Sequence, residues 1–253
     1  MPLFELSDKT ALVTGASRGI GRMIAVAFAE RGADLVLVSR NADALADVAA
    51  EVELLGRTAL VLPTDVTHRS AVEETVATAI DGLGQIDIVV NNAGGTSFAV
   101  PFTEMRFSGW EKVMHLNVDA MVHVLQAVGP HMIERGSGSV INVASVAALG
   151  GTPTLAPYAA SKAAAVSLTR TLALEWAESG VRVNALCPGW TATDLNRVLW
   201  EDPDASRSMT DEIPMGRWGT PEEMVGPAVF LASEASSYMT GHTLVVDGGL
   251  SAR

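Results

Sequence analysis

Seven short apolar runs recur along the chain, and longer segments with apolar residues at helical spacing separate most of them. The runs are rich in Val, Leu and Ile, and they occupy positions 11–14, 35–39, 59–62, 86–90, 139–143, 181–186 and 243–246. Continuous apolar runs are typical of strands that are buried on both faces. The alternation of strand and helix patterns therefore predicts an α/β fold, a doubly wound parallel sheet with helices on both faces.

The organisation of the chain indicates a single domain. No low-complexity linker, charge run or internal repeat interrupts the 253 residues, and α/β sheets often reach this length as one unit. We therefore expect one domain over residues 1–253. One stretch, at about 190–214, shows little periodicity and is longer than a usual connection between a strand and a helix. We predict that this stretch forms a lid over a substrate site.

Composition excludes several classes of protein and site. The chain carries 17 basic and 29 acidic residues, a net charge of −12, so the backbone of a nucleic acid would be repelled. A lone cysteine cannot form an internal disulfide, and the cysteine and histidine residues lack metal-ligand spacing. They are Cys187, His68, His115, His123, His131 and His242. No apolar run is long enough to span a membrane, and no secretion signal is recognisable. We expect a cytoplasmic protein without a metal site.

A glycine-rich turn directly follows the first predicted strand and precedes a helical pattern. Its sequence is Thr14-Gly15-Ala16-Ser17-Arg18-Gly19-Ile20-Gly21. Glycines allow a tight turn and a close approach of the backbone to a pyrophosphate, and a helix N-terminus offers free N–H groups to that anion. The order of strand, turn and helix predicts a dinucleotide site. The alternative is a turn of the same kind without a ligand.

The spacing T-G-x-x-x-G-x-G resembles that of the short-chain dehydrogenase/reductase family, and the likeness continues from about Lys9 to Gly249. Further matching segments follow in the order of the family. They are Asp65-Val66, Asn91-Asn92-Ala93-Gly94, Asn117, Ser145, Tyr158-x-x-x-Lys162 and Pro188-Gly189. Taken alone, the segment 91–94 could be an ordinary turn at a strand end. The resemblance implies a Rossmann-type fold and a nicotinamide dinucleotide as cofactor.

The resemblance also assigns residues to parts of the cofactor. Asp65 and Val66 would meet the adenine ring, and residues 92–94 would pass beneath the adenosine. The backbone of Thr191 would bind the nicotinamide carboxamide and the hydroxyl of Thr193 the pyrophosphate, although both threonines could instead only cap the next helix. The whole candidate cofactor site comprises Gly15, Ser17, Arg18, Gly19, Ile20, Gly21, Ser39, Arg40, Asp65, Val66, Asn92, Ala93, Gly94, Tyr158, Lys162, Pro188, Gly189, Thr191 and Thr193.

The end of the second predicted strand distinguishes between the two nicotinamide dinucleotides. An NAD-dependent enzyme usually has a carboxylate there, about 20 residues past the glycines, which accepts a hydrogen bond from the ribose 2′-hydroxyl. This chain has Ser39 followed by Arg40. A guanidinium can hold a 2′-phosphate with two hydrogen bonds, and Arg18 could approach that phosphate from the other side. We predict NADP(H) as the cofactor. The alternative is that both arginines are only solvated.

The most specific signal is a tyrosine and a lysine four residues apart. Residues at this spacing share one face of a helix, so Tyr158 and Lys162 would point into the same cleft, where Ser145 follows the fifth strand. A nearby cation favours phenolate and lowers the pKa of tyrosine toward the working pH, where general acid/base catalysis is most effective. Tyr158 would exchange a proton with the reacting oxygen while Ser145 holds that oxygen. By resemblance, Lys162 would also bind the nicotinamide ribose.

Asn117 completes the candidate catalytic set of Asn117, Ser145, Tyr158 and Lys162. It occupies an apolar position of an amphipathic helical segment, and a buried amide needs hydrogen-bond partners. It could simply bind neighbouring backbone. The resemblance implies instead that it positions a water in a proton relay from Lys162 to solvent. Cys187 is typical of a small buried apolar residue at a strand end rather than of a nucleophile.

These features predict an NADPH-dependent oxidoreductase that interconverts a ketone and a secondary alcohol, as a carbonyl reductase or alcohol dehydrogenase does. Alternatives are a reductase of 3-oxoacyl thioesters on acyl carrier protein or coenzyme A, and a non-catalytic dinucleotide-binding regulator. A nucleotide-sugar epimerase or dehydratase would usually have a longer C-terminal substrate domain. Acidic residues in the 190–214 lid would repel an acidic carrier protein. We therefore expect free, neutral and partly hydrophobic ketones to be better substrates.

The substrate pocket is expected to be mostly apolar. Its candidate residues are Thr96, Ser97, Val146, Leu149, Gly151, Trp190, Leu195, Trp200 and Met209. The C-terminal stretch 240–249 resembles the end of the chain that forms tetramers in the family. A symmetric homotetramer is therefore expected.

Overall fold

The computed structural model describes residues 3–252. Its centre is a seven-stranded parallel sheet with the strand order β3-β2-β1-β4-β5-β6-β7. The strands are β1 (Thr10–Thr14), β2 (Asp34–Ser39), β3 (Ala59–Pro63), β4 (Ile88–Asn91), β5 (Gly138–Val143), β6 (Val181–Pro188) and β7 (Thr243–Val246). The strand order reverses between β1 and β4. Sheets of this kind bind ligands in the crevice at that point, outside the carboxyl ends of the strands.

Helices cover both faces of the sheet. They are α1 (Gly19–Glu30), α2 (Ala42–Leu54), α3 (Arg69–Leu83), α4 (Phe107–Met114), α5 (Ala120–Arg135), α6 (Ala156–Trp176), α7 (Arg197–Trp200), α8 (Pro203–Thr210) and α9 (Val225–Ala232). Alternate residues of a strand point to opposite faces. Accordingly, Ala11 and Val13 pack with α1, α2 and α9, whereas Leu12 packs with α3, α5 and α6. The predicted doubly wound Rossmann-type fold is confirmed.

The fourth strand differs from the prediction at its amino end. It begins at Ile88 rather than at 86. The amide of Ile86 donates to Nε2 of His131 at 3.2 Å, and the Asp87 carboxylate accepts from the amide of Thr10 at 2.9 Å. Asp87 also bonds both neighbouring strands through its main chain, because its amide donates to the oxygen of Thr10 at 2.9 Å and its oxygen accepts from the amide of Ser139 at 2.8 Å. The amide of Ile86, in contrast, is bound by a side chain and not by a strand.

The segment 190–214 contains short helices instead of an irregular loop. A 3₁₀ turn at Asp194–Asn196 leads into α7, and α8 follows. Asp202 caps α8, because its Oδ1 accepts hydrogen bonds from the amides of Asp204 and Ala205. Helices of four and eight residues are too short to show a clear hydrophobic period, which explains why the sequence pattern missed them.

Two further findings concern residues 3–252 only. None of the helices in this range combines the length and the apolar character that crossing a bilayer requires. Within the same range, no cluster of three or more His, Cys, Asp or Glu side chains is arranged to hold a metal ion.

Candidate active site

The glycine turn leaves the start of α1 open to an anion. Gly15 and Gly19 have φ values of +65° and +54°, a region that favours glycine. A Cβ at Gly15 would lie 2.7 Å from Nδ2 of Asn92, so a side chain has no room there. Arg18 at the N-cap makes no side-chain capping bond, and the first turn of α1 has no acidic residue. The free N–H groups and the helix dipole therefore favour a negatively charged group.

Thr14 fastens the glycine turn to the turn that follows β4. Its Oγ1 accepts hydrogen bonds from the amides of Asn92 and Ala93, both at 3.0 Å. Asn92 in turn donates from Nδ2 to the main-chain oxygens of Thr14 at 3.0 Å and Gly15 at 3.2 Å. The two turns at the switch point of the strand order thus form one cradle. The sequence pattern alone does not indicate this role of Thr14.

The ends of β2 and β3 supply a positively charged corner beside this cradle. Arg40 follows β2 and is exposed, as is Arg18, and neither forms an ion pair with a described residue. Hydrogen bonds from Thr67 lower the pKa of Asp65, burial opposes this, and the charge of Arg40 lowers it further.

Tyr158 and Lys162 lie on the first turns of α6 and face the end of β5. Nζ of Lys162 is 5.8 Å from the centre of the Tyr158 ring, and it donates a hydrogen bond to the main-chain oxygen of Val143 at 2.8 Å. Lys162 is only 5% exposed, and burial lowers the pKa of its ammonium to about 8. The shared face predicted from the spacing of four residues is present.

Ser145 follows β5 and meets the Tyr158 side chain. Burial raises the pKa of the Tyr158 phenol above its ordinary value, and a hydrogen bond with the Ser145 side chain partly opposes that shift. In the chain by itself the shift is thus upward, because desolvation of the phenolate is its largest cause. The lowering of this pKa by Lys162 together with an oxidised nicotinamide stays a prediction.

Asn117 lies in a π-helical turn, His115–Asp119, between α4 and α5. It is 1% exposed. Its Oδ1 accepts from the amide of Gly95 at 2.7 Å, and its Nδ2 donates to Oγ of Ser161 at 2.8 Å. Ser161 donates to the main-chain oxygen of Tyr158 at 2.7 Å. Both ends of the amide thus have partners, one of them the main-chain amide of Gly95 and the other the side-chain hydroxyl of Ser161.

The segment after β6 reaches over both turns. A Cβ at Gly19 would lie 3.7 Å from Cγ2 of Thr193, and a Cβ at Gly95 would lie 3.1 Å from Cδ2 of Leu195. These distances bring Thr193 against the glycine turn and Leu195 against the turn that follows β4. That the predicted site residues bind one ligand together stays a prediction.

Comparison with known proteins adds the family. A family model described as enoyl-(acyl carrier protein) reductase matches residues 15–251. Gluconate 5-dehydrogenase of Gluconobacter oxydans (strain 621H) is 43% identical over 248 residues, which cover 98% of this chain and 96% of the relative. The chain belongs to the short-chain dehydrogenase/reductase family. The family resemblance predicted from the motifs is confirmed, and the protein is an oxidoreductase.

Solved structures of short-chain dehydrogenases/reductases have the same fold. A gluconate 5-dehydrogenase from Burkholderia cenocepacia J2315 in complex with NADP and tartrate has a TM-score of 0.94 and 40% identity, and the match covers 99% of this chain and 98% of that one. An NAD⁺-bound xylitol dehydrogenase has a TM-score of 0.92 and 35% identity, covering 96% and 99%. The names of these relatives thus refer to both a sugar acid and an uncharged polyol.

Asn196 organises residues 191–196 of this short-chain dehydrogenase/reductase, and it was missed at the level of the sequence. Its Oδ1 accepts from the amide of Thr193 at 2.9 Å and from the Thr193 hydroxyl at 3.1 Å, and its Nδ2 donates to the Thr191 oxygen at 2.9 Å. Thr193 and Asn196 form a capping box. The spacing T-x-x-N is a helix-start signal that could have identified it. Thr193 therefore caps a helical turn, as one of the two interpretations expected.

The candidate pocket residues of this short-chain dehydrogenase/reductase lie on three segments, and not all have a contact that defines their role. Leu195 packs on Gly95, Trp200 donates from Nε1 to the Thr193 oxygen at 2.9 Å, and the Trp190 ring meets the Trp218 ring at 5.6 Å. Thr96 donates to the oxygen of Phe98 within its own loop. The remaining candidates stay predictions; they are Ser97, Val146, Leu149, Gly151 and Met209.

Proposed function

We propose that this protein transfers hydride reversibly between NADP(H) and a ketone or secondary alcohol, with Tyr158 as the general acid and base. The observation that carries the proposal is the meeting of Ser145, Tyr158 and Lys162 beside the glycine cradle. Lys162 is held at 2.8 Å from the Val143 oxygen, and the phenol interacts with Ser145. A proton donor, a hydrogen-bond donor and a cation thus adjoin one crevice at the carboxyl edge of the sheet, where catalysis in such folds takes place.

The residues of the crevice fit a dinucleotide. The backbone around Gly15 and Gly21 is so close to Asn92 that a Cβ would collide, and the uncapped start of α1 offers its N–H groups to a pyrophosphate. The turn 92–94 would line the adenosine side, with Asp65 and Val66 at the adenine. On the opposite wall we assign Pro188 and Gly189, where β6 ends, together with Thr191 and Thr193.

Arg40 and Arg18 support NADP(H) rather than NAD(H). Both are exposed at the β2 end of the crevice, and a 2′-phosphate there would gain charge-assisted hydrogen bonds. Ser39 stands where a carboxylate would exclude that phosphate, and its Oγ accepts from the amide of Asn41 at 3.2 Å. The Burkholderia relative was crystallised with NADP, which agrees with this assignment.

Bound NADPH would supply a hydride to the carbonyl carbon. Ser145 would donate a hydrogen bond to the carbonyl oxygen and hold it beside the phenol. Tyr158 would then give its proton to that oxygen as negative charge develops there. Lys162 would lie against the nicotinamide ribose and favour the phenolate that remains. In the oxidative direction, Tyr158 would accept the proton of the alcohol.

Asn117 and Ser161 would hold the catalytic side chains in position relative to one another. Asn117 connects the turn at Gly95 to Ser161 on α6, so it holds the wall of the crevice against the helix that carries Tyr158. Both Oδ1 and Nδ2 of Asn117 already have hydrogen-bond partners. We therefore infer that a water in a proton relay from Lys162 would bind a main-chain oxygen rather than the side-chain amide of Asn117.

A second candidate function is favoured by the relatives. Two of them are named gluconate 5-dehydrogenase, which makes a polyhydroxy acid an alternative substrate. A 3-oxoacyl thioester is a third candidate; the description of the matching family model, enoyl-(acyl carrier protein) reductase, supports only a carrier-bound thioester in general. A purely regulatory dinucleotide-binding protein would have no use for the arrangement of Ser145, Tyr158 and Lys162.

The experiment that tests the proposal is NADPH oxidation against a panel of carbonyl compounds, repeated with NADH. The panel contains aliphatic and aromatic ketones, 5-keto-D-gluconate and acetoacetyl thioesters. We expect ketone-dependent oxidation of NADPH with a higher kcat/KM than for NADH. Binding of NADPH without turnover on any member would contradict the proposal and favour a regulator. We also propose a homotetramer formed through residues 240–249, which light scattering would test.

A further inference from the structure

We propose that the carbonyl substrate of this enzyme is uncharged, in contrast to the sugar acids named for its relatives. The inference rests on the proposed function, because it concerns the pocket above Ser145 and Tyr158. A buried carboxylate requires a cation or several hydrogen-bond donors to replace its hydration. The segments around the pocket offer few cations and few such donors to a substrate that carries a carboxylate.

Two segments that border the site contain no basic residue. Residues 91–105 and 137–161, which include Gly95, Ser145 and Tyr158, have neither lysine nor arginine. The amide of Val100 donates to the oxygen of Thr154 at 2.9 Å, so the two segments are joined to each other. The next cation along the chain, Arg106, is exposed at the start of α4.

The lid is acidic, and one of its two arginines is already paired. Residues 190–214 contain six carboxylates and two arginines, a net charge of −4. The Arg197 guanidinium binds Asp194 and also lies 3.9 Å from a carboxylate oxygen of Glu201. The second arginine, Arg207, is exposed on α8 among further acidic residues. A negatively charged substrate would therefore meet a repulsive potential as it enters.

The one cation at the reacting atoms is also engaged. Lys162 donates to the Val143 oxygen and is 5% exposed. Beside these groups, apolar side chains are exposed on the segments that flank the site: Leu149 by 45%, Leu195 by 54% and Val198 by 79%. Within residues 3–252, an apolar rim, an acidic lid and a lysine that is already hydrogen-bonded suit a neutral, partly apolar carbonyl compound.

The test uses pairs of ketones that differ only in charge. We would compare 4-acetylbenzamide with 4-acetylbenzoate, and 5-keto-D-gluconamide with 5-keto-D-gluconate, at low ionic strength and saturating NADPH. The expected result is a kcat/KM at least about tenfold higher for each amide, and a smaller ratio in high salt, which screens the lid charges. An acid equal to or better than its amide would overturn the inference but leave the proposed function standing. No turnover of any carbonyl compound would overturn both.

A pair of variants tests whether the lid carries the effect. Asp194→Asn with Glu201→Gln removes both partners of Arg197, and we expect the amide-to-acid ratio to fall severalfold. The control, Glu53→Gln with Glu178→Gln, removes the same charge from exposed positions on α2 and just after α6. The control should keep the wild-type ratio. Equal ratios in the two double variants would contradict the assignment of charge selection to the lid.

Discussion

Nζ of Lys162 donates a hydrogen bond to the main-chain oxygen of Val143 at 2.8 Å. The bond joins α6 to the last residue of β5, directly before the segment that carries Ser145. Two turns further along α6, Thr169 accepts a hydrogen bond from Nδ2 of Asn142 at 2.9 Å. These two bonds fix the helix along its axis against the sheet. The position of Tyr158 relative to Ser145 follows from that register.

Thr169→Val should destabilise the protein and lower kcat more than it changes KM. The substitution keeps the shape but leaves Nδ2 of the fully buried Asn142 without this partner, which costs about 1–3 kcal/mol of unfolding free energy. Urea denaturation and steady-state kinetics measure the two effects. Thr169→Ser should restore both values. The control is Thr171→Val, whose exposed hydroxyl bonds only within α6. Equal stability of the Thr169 and Thr171 variants would contradict the account.

The buried ammonium of Lys162 should make stability depend on pH. Its pKa is about 8 in the folded chain and about 10.4 when unfolded. Between these values the unfolded chain binds more protons, so the free energy of unfolding rises with pH. Wild type should gain about 1–3 kcal/mol relative to Lys162→Met across this range. Below pH 8 the difference should be constant. The exposed Lys112→Met should follow wild type, and parallel curves for Lys162→Met would disprove the effect.

Arg40→Asp should reverse or abolish the preference for NADPH. The wild-type guanidinium would lose a charge-assisted partner with NADH, and the new carboxylate would repel the 2′-phosphate. We expect the ratio of kcat/KM values for NADPH and NADH to fall by about 10–100-fold. Arg31→Asp, at the far end of α1, makes the same charge change away from the crevice and should leave the ratio unaltered. A wild-type preference for NADH would contradict the assignment of the residues at the end of β2 to a 2′-phosphate site.

The strands and the glycine turn could be predicted because their signals are local. The apolar run of β1 is buried on both faces. Gly15 has a positive φ, and a glycine directly after a strand indicates such a turn. The spacing of Tyr158 and Lys162 likewise fixes their shared helix face without further information. These features depend on residues within one or two turns of each other.

The segment 190–214 and the network around Asn117 depend on contacts between distant parts of the chain. The helices of this segment are held by bonds such as the one from Trp218 Nε1 to the Ser206 hydroxyl at 2.8 Å, and short helices have no hydrophobic period to recognise. Ser161 bonds Asn117 from 44 positions away, and nothing in its own surroundings indicates this. The raised pKa of Tyr158 was missed for a similar reason, because burial is a property of the folded chain.

Turnover of Tyr158→Phe with saturating NADPH and a ketone substrate is the most direct test of the proposed chemistry. The variant keeps the ring and lacks only the hydroxyl, so we predict an unchanged melting temperature within about 2 °C and NADPH binding similar to wild type. We predict a fall in kcat of at least about 10²-fold, the lower end of what a positioned acid contributes. The fully exposed Tyr238→Phe is the matched control. A Tyr158→Phe enzyme with kcat near wild type would contradict the account.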